Sequence, residues 1–202
     1  DRYRYMGKDV ASLDLQAMIT GKAKYGQDMS LPGMRIAVIQ RPPVYGAKVA
    51  KFDATAALAV PGVVKVVEMP AADIPSAFKP LGGVAVVATG TWAAIEARKK
   101  LVIEWTASPN DSYDSTEYRA QLESAVRAAG TVVRDLGDAE AAIAGAAKRV
   151  SAEYYVPHLA QAPMEPPAAL AHVTGGRCEV WACTQDPQTA QATVAEVTGL
   201  KK

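Results

Sequence analysis

Glu165 is the residue of this sequence whose setting most favours chemistry, because prolines surround it in the run APMEPP, residues 162–167. Proline fixes the backbone φ angle and removes a hydrogen-bond donor, so this acid is expected on a stiff, non-helical segment. One interpretation is an acid held in position for binding. The other is a rigid connector between two strands that carries an exposed carboxylate.

Two histidines and two cysteines could in principle supply four zinc ligands, but their spacing, H-x13-H-x5-C-x4-C, fits no common zinc pattern. These residues are His158, His172, Cys178 and Cys183. A Cys/His nucleophile pair rests only on the presence of both residue types. Two cysteines are also too few for a disulfide framework, so the sequence predicts no metal site and no disulfide scaffold.

Phosphate and nucleic-acid binding find little support in the sequence. Gly82-Gly83 is not followed by G-K-[ST], and no G-x-G-x-x-G occurs, so neither a phosphate loop nor a dinucleotide fingerprint is predicted. The formal net charge of +1 gives no electrostatic footprint for nucleic acid or an anionic membrane. Without a basic groove, Tyr154, Tyr155 and Trp181 are better interpreted as core or interface aromatics than as base-stacking platforms.

The length of 202 residues, half of them apolar, allows one or two cores in a globular protein. No apolar run approaches 18 residues, so no membrane span is predicted. The sequence opens at Asp1 without an initiator Met or a signal-peptide core, and it ends at Lys202 after a helix-like segment. We therefore expect a fragment, or one processed chain, of something larger.

The elements that must position these residues alternate between strands and short helices. Residues 1–29 read as an irregular lead-in with a short strand near Lys24, and residues 70–81 as a Pro-punctuated loop. Asp53 and Thr91 are predicted to cap two helices, through Leu58 and over residues 92–100. Apolar runs predict strands at residues 34–41, 63–69, 84–89 (a central strand, because its run is continuous) and 101–105.

The second half begins with a polar linker, residues 106–115. Glycines that tolerate positive φ predict a hairpin between residues 168–173 and 177–182. The other predicted elements are helices at residues 116–129, after Asp138 and from Pro187 to Val197, and strands at residues 132–133 and 149–156. Strands mixed with interleaved helices favour an α+β fold.

Two long runs resemble a known family. Residues 13–69, with TGKAKYGQDMSLPGM, RPPVYGAKV and FDATAALAVPGVVKVVE, resemble the α/β-hammerhead domain of the large subunits of molybdenum hydroxylases, the xanthine oxidase and aldehyde oxidase superfamily. The later run, with APMEPPAALAHV, GRCEVWACTQDPQ and ATVAEVTGL, resembles the start of their molybdopterin-binding region. Within the family the chain resembles the large chain of the isoquinoline 1-oxidoreductase type and the membrane-associated aldehyde dehydrogenase type.

The resemblance implies a domain order and a function. It implies a lead-in over residues 1–20, a hammerhead domain over 21–110, and linker helices with the first part of a molybdopterin-binding α+β domain over 111–202. It implies oxidation of aldehydes or N-heterocycles at molybdenum held by molybdopterin, in its cytosine dinucleotide form, with oxygen from water. Electrons would leave through iron-sulfur clusters on a partner subunit. A bacterial protein is implied, with its compartment, periplasm or cytoplasm, left open.

The resemblance also implies site residues. Glu165 matches the acid of the family's APMEP motif, and Thr184, Gln185 and Gln188 match its T-Q-x-P-Q turn, which lies near the pterin. Amides and a hydroxyl suit a ring system rich in donors and acceptors. Gln161 stands where many relatives have His, so no histidine role transfers to that position.

The family's GGGFG segment and its general-base glutamate are expected beyond Lys202. No catalytic residue is therefore assigned within this chain, and turnover is expected to require the remaining part of the molybdopterin subunit. The alternative is a non-catalytic binding or assembly module with the same fold. A stand-alone hydrolase is disfavoured because the sequence carries no nucleophile motif.

Overall fold

A computed structural model describes residues 3–76 and 79–202 of the chain. Contacts divide it into two compact units. The central unit is Gly33–Leu159, and the terminal unit joins the described residues up to Pro32 with Ala160–Lys202. Residues 1–2 of the predicted lead-in and residues 77–78 of the predicted Pro-punctuated loop lie outside the described residues.

The central unit is built on a three-stranded antiparallel sheet with the order β1-β4-β3. The strands are β1 (Ile36–Gln40), β3 (Val63–Ala71) and β4 (Leu81–Ala88). Val86 of β4 pairs with Val38 on one side and Val66 on the other, and it is completely buried. A strand covered on both edges and both faces carries a continuous apolar run, and the predicted central position of this strand is confirmed.

Two helices and a second strand pair complete this layer. Helix α2 is Thr55–Leu58, helix α3 is Thr91–Arg98, and β2 (Val49–Asp53) pairs antiparallel with β5 (Val102–Trp105). Small side chains let α2 and α3 approach β4 closely, so the fully buried cluster joins Ala57, Val86 and Ala97. Strand β2 was not predicted from the sequence. The predicted α+β class is confirmed as a mixture of helices and antiparallel sheet.

The two predicted helix caps fall one residue away from the observed ones. The backbone position of the N-cap is Ala54 for α2 and Gly90 for α3, and Thr91 is the first helical residue. The Asp53 carboxylate nevertheless accepts hydrogen bonds from the main-chain N–H and the hydroxyl of Thr55. Asp53 therefore stabilises the start of α2 from just outside the helix.

Gly82 and Gly83 lie in β4, where neighbouring strands approach very closely. Gly83 has a φ of 123°, and a Cβ atom on it would overlap the carbonyl oxygen of Gln40. A Cβ on Gly82 would lie 2.6 Å from the Cβ of Ala71. The two glycines therefore allow neighbouring strands to approach closely. This packing explains why a Gly-Gly pair occurs here without the rest of a phosphate-loop motif.

The remainder of the central unit contains helices α4 (Ser115–Arg127) and α5 (Ala139–Ala144). Asp138 caps α5 as predicted, because its carboxylate accepts a hydrogen bond from the N–H of Ala141. The strands predicted at residues 132–133 and 149–156 are wrong, since both stretches lack regular structure and are exposed. Neither stretch pairs with another strand, and an isolated strand leaves its backbone groups to water.

The terminal unit contains a hairpin, one longer helix and two short helices. It consists of α1 (Leu15–Ile19), a 3₁₀ helix (Gly26–Asp28), the antiparallel strands β6 (Ala169–Thr174) and β7 (Arg177–Ala182), and α6 (Pro187–Thr198). Gly175 and Gly176 have φ angles of 56° and 74°, the positive values expected for the predicted hairpin turn. The strand predicted near Lys24 is wrong, because Lys24 lies in an irregular stretch directly before the 3₁₀ helix.

Within the described ranges, no helix combines the length and the apolar character needed to cross a bilayer.

Candidate functional site

Glu165 lies in the terminal unit on the irregular segment that leads into β6. Its side chain is half-buried, and its Oε1 atom accepts a hydrogen bond of 2.8 Å from the main-chain N–H of Gly26. The two residues are 139 positions apart in the chain. The carboxylate is thus fixed by a contact with a distant segment, in addition to the prolines beside it.

Thr184 and Gln185 lie in the connection between β7 and α6, and both are exposed. The hydroxyl oxygen of Thr184 accepts a hydrogen bond of 3.1 Å from the N–H of Asp186. This bond tightens the turn and still leaves the hydroxyl proton of Thr184 able to donate to another group. The turn therefore presents one hydroxyl and one primary amide to solvent.

Gln188 is the second residue of α6, and its orientation follows from how that helix begins. The Asp186 carboxylate accepts hydrogen bonds from the N–H and the hydroxyl of Thr189, and Pro187 occupies the first turn. The Thr189 hydroxyl, and then the Thr189 N–H, lower the pKa of Asp186 below its ordinary value. The capping role of Asp186 was not predicted from the sequence, although an acid directly before a proline at a helix start is a recognisable capping signal.

Three of the four predicted site residues are close to one another because they are neighbours in the sequence. Thr184, Gln185 and Gln188 lie within five positions at the start of α6. Glu165 instead contacts the 3₁₀ helix, and across residues 3–76 and 79–202 no hydrogen bond links it to the other three.

The histidines and cysteines do not assemble into a metal centre in the part of the chain that the structure describes. No group of three or more His, Cys, Asp or Glu residues there could hold an ion. Cys178 and Cys183 are free thiols. The ring of His158 lies 5.3 Å from that of Tyr118, so this histidine belongs to an aromatic cluster.

One cavity of about 220 Å³ lies between the hairpin and the end of α6. Ligand pockets usually measure about 300 to 1,000 Å³. None of the four predicted site residues lines this cavity, which is bounded among others by Cys178, Gln191 and Thr198. Thr184, Gln185 and Gln188 are instead exposed, and Glu165 is half-buried.

Comparison with known proteins gives a consistent result for both halves of the chain. Residues 120–202 match the family described as the molybdopterin cofactor-binding domain. The chain is 31% identical to the beta chain of isoquinoline 1-oxidoreductase of Brevundimonas diminuta, over 98% of this chain and 25% of that protein. It is 32% identical to one of the subunits of nicotinate dehydrogenase of Pseudomonas putida, over 96% of this chain and 16% of that protein.

The fold is shared with quinoline 2-oxidoreductase from Pseudomonas putida 86, whose crystal structure superposes with a TM-score of 0.61 at 20% identity. That superposition covers 98% of this chain and 29% of the other. The chain thus spans a quarter or less of the length of the two curated relatives that it matches. The chain is therefore similar to part of the isoquinoline 1-oxidoreductase and nicotinate dehydrogenase subunits, and residues 120–202 are similar to the molybdopterin cofactor-binding domain.

Proposed function

We propose that this chain is part of the molybdopterin-binding subunit of a molybdenum hydroxylase that oxidises aldehydes or N-heterocycles. The match of residues 120–202 to the molybdopterin cofactor-binding domain is the observation that carries this proposal. The relatives support the heterocycle class, since their names refer to isoquinoline, nicotinate and quinoline. The 202 residues are proposed to need further polypeptide for turnover.

The proposal assigns a separate domain or segment to each of three parts of the chain. Residues 1–20 form a lead-in and residues 21–110 an α/β-hammerhead domain, supported by the compact packing of α2 and α3 on β4. Residues 111–202 supply linker helices and the first part of the cofactor-binding domain, supported by the family match that begins at residue 120.

The side chains at the start of α6 have the chemistry that a pterin cofactor requires. Gln185 and Gln188 are exposed and each offers a donor and an acceptor, while Thr184 keeps a hydroxyl proton to donate. Glu165 engages Gly26 through Oε1, so its Oε2 atom can accept from a ring or amino N–H. These four residues fit molybdopterin, and we propose that they contact it.

When bound, the cofactor supplies the redox chemistry, accepting two electrons as a water-derived oxygen enters the substrate. For an aldehyde the balance is RCHO plus H₂O giving RCOOH, two protons and two electrons. The electrons are proposed to pass to iron-sulfur clusters on a partner subunit, supported by relatives whose names describe them as single subunits of larger enzymes. We propose the cytosine dinucleotide form of the cofactor.

In this scheme, the chain's own residues would bind the cofactor and orient it. Gln185 and Gln188 would hold the pterin by hydrogen bonds, and the Asp186 cap would fix the start of α6, which lies between them in sequence. No described residue is assigned as the general base.

Isotope labelling tests this function. The full-length protein that carries this chain, purified with its accompanying subunits, is assayed with an aldehyde and with an N-heterocycle in ¹⁸O-labelled water. We expect ¹⁸O in the product, and no turnover by residues 1–202 alone. Absence of turnover with both substrate classes, or product oxygen derived from O₂, would contradict the proposal and favour a non-catalytic assembly module.

A further inference from the structure

We propose that Glu165 is a positioning residue that docks the 3₁₀ helix, Gly26–Asp28, onto the start of β6. Through this contact the acid closes the terminal unit, which is made from two stretches far apart in sequence. This role acts through the fold, by way of Oε1, and comes in addition to the cofactor contact proposed above for Oε2. The consequence of this role for the cofactor rests on the function proposed above, whereas the docking itself does not.

The first support is the hydrogen bond between Glu165 and Gly26. A main-chain N–H in the first turn of a helix has no partner within that helix, so Gly26 needs an acceptor from elsewhere. Oε1 of Glu165 supplies it at 2.8 Å in a half-buried position. A carboxylate acceptor makes a stronger bond than a neutral one, and partial burial limits competition from water.

The second support is the absence of a side chain at Gly26. A Cβ atom there would lie 3.1 Å from the carbonyl oxygen of Ala168 and 3.5 Å from Oε1 of Glu165. The first distance is tighter than ordinary van der Waals contact. The backbone of the 3₁₀ helix therefore approaches the residue before β6 at a distance that favours glycine.

The third support is that local interactions fix both the 3₁₀ helix and the segment that carries Glu165, independently of the bond between them. Tyr25 and Asp28 bond each other reciprocally, since the N–H of Tyr25 donates to Oδ2 of Asp28 at 2.9 Å and the N–H of Asp28 to the Tyr25 carbonyl at 3.0 Å. On the other side, Pro163 and Pro166 restrict the backbone around Glu165. Preorganised partners lose little entropy on contact.

The docking connects to the rest of the terminal unit through the hairpin. Strand β6 pairs along its length with β7, and β7 leads directly to Thr184 at the start of α6. Loss of the Glu165 contact would make the segment that leads into β6 more mobile, and we expect this mobility to extend through β7 to the turn at Thr184. We therefore expect both Glu165 and Gly26 to influence the turn that carries Gln185.

The test compares amide hydrogen exchange across residues 24–30 of the full-length protein in three variants. Glu165→Ala should speed exchange at Gly26 about tenfold or more, because a bond to a charged acceptor is lost. Glu165→Gln keeps an oxygen acceptor and should restore most of the protection. Gly26→Ala should also speed exchange by forcing the helix away from Ala168. Exchange that is unchanged in Glu165→Ala would overturn the inference.

Matched controls are Glu196→Ala, an exposed acid on α6, and Gly130→Ala, where a Cβ atom would meet nothing within 4 Å. Both should leave exchange at residues 24–30 unchanged. A general loss of folding is recognised if exchange also rises in β4, which belongs to the central unit.

Molybdenum content of the same preparations separates positioning from direct contact. Positioning predicts less molybdenum in Glu165→Ala and Gly26→Ala, with rescue in Glu165→Gln. Loss of molybdenum in both Glu165 variants, with normal exchange and a normal molybdenum content in Gly26→Ala, would leave Glu165 as a cofactor contact alone and overturn the positioning role. Absence of molybdenum from the wild type would instead overturn the proposed function, while the exchange data would still test the docking.

Discussion

Arg127 and Glu153 form an ion pair through two hydrogen bonds, from Nε to Oε1 at 3.0 Å and from Nη2 to Oε2 at 2.7 Å. This pair joins the last residue of α4 to an irregular stretch. Further along, Arg119 lies 4.7 Å from the ring centre of Tyr155, and His158 lies beside Tyr118. Side chains therefore hold residues 153–158 along α4.

Removing one partner of this pair should change the titration of the other. The Arg127 guanidinium donates hydrogen bonds to Glu153 and lowers the pKa of that carboxyl below its usual range. In Arg127→Met we expect the pKa of Glu153 to rise toward 4.5, its ordinary value, as followed by carboxyl-carbon NMR. Cleavage of residues 150–158 by a protease should quicken by a factor of about 2 to 5, the range expected for an exposed ion pair.

The control for this pair is Arg134→Met, which removes an exposed arginine on the neighbouring irregular stretch. It should leave the Glu153 titration as in the wild type. If Arg127→Met also left that titration unchanged, the ion pair would not be formed in solution.

Gly83 should tolerate no side chain. A Cβ atom there would overlap the Gln40 carbonyl oxygen, and a φ of 123° is unfavourable for other residues. We expect Gly83→Ala to lower the free energy of unfolding by about 2 kcal/mol or more, measured by denaturant titration. Gly130→Ala, with open space around its Cβ, should change it by less than about 0.5 kcal/mol. Equal midpoints for the two variants would refute the close packing of β4 on β1.

The cap of α6 should depend on pH in a defined direction. Because the pKa of Asp186 is lowered in the folded chain by the Thr189 hydroxyl and N–H, the cap stabilises the helix above the ordinary value of 3.8. That contribution is lost as the pH falls below this value and through the folded pKa. Asp186→Asn keeps a capping oxygen without the charge, so its protection of the Thr189 amide should stay nearly constant with pH.

The measurement is the amide protection factor of Thr189 in both proteins, from about pH 6 down to about pH 2.5, a range that brackets the Asp titration. Protection should fall in the wild type and remain level in Asp186→Asn. Parallel curves would show that the Asp186 carboxylate does not cap α6.

The amides of Gln185 and Gln188 should matter for cofactor retention. In the full-length protein, Gln185→Ala and Gln188→Ala should each lower the molybdenum and pterin content, because each removes hydrogen bonds proposed to hold the pterin. Gln121→Ala, at an exposed position of α4, serves as the control and should retain both. Wild-type contents in both site variants would remove these residues from the proposed site.

Local signals explain which elements were predictable. The continuous run around Val86 predicted a central strand, Gly175 and Gly176 predicted the hairpin, and Pro187 predicted the start of α6. In each case the decisive physics lies within a few residues, in burial, turn geometry or a helix end. These elements also position Thr184, Gln185 and Gln188.

Long-range contacts explain the failures. Residues 149–156 alternate like a strand, but a strand requires a pairing partner that alternation cannot reveal. The Gly26 partner of Glu165 lies 139 positions away, so no local pattern could indicate it. The sequence predicted the stiffness around Glu165, and only the fold showed what that acid contacts.

Cofactor content tests the central claim most directly. The full-length protein that carries this chain would be purified untagged from its native host, and its molybdenum and pterin would be quantified with the intact masses of its companions. We predict near-stoichiometric molybdenum and pterin together with an iron-sulfur partner subunit. A folded protein that contains neither molybdenum nor pterin when isolated with its companions would contradict the proposal.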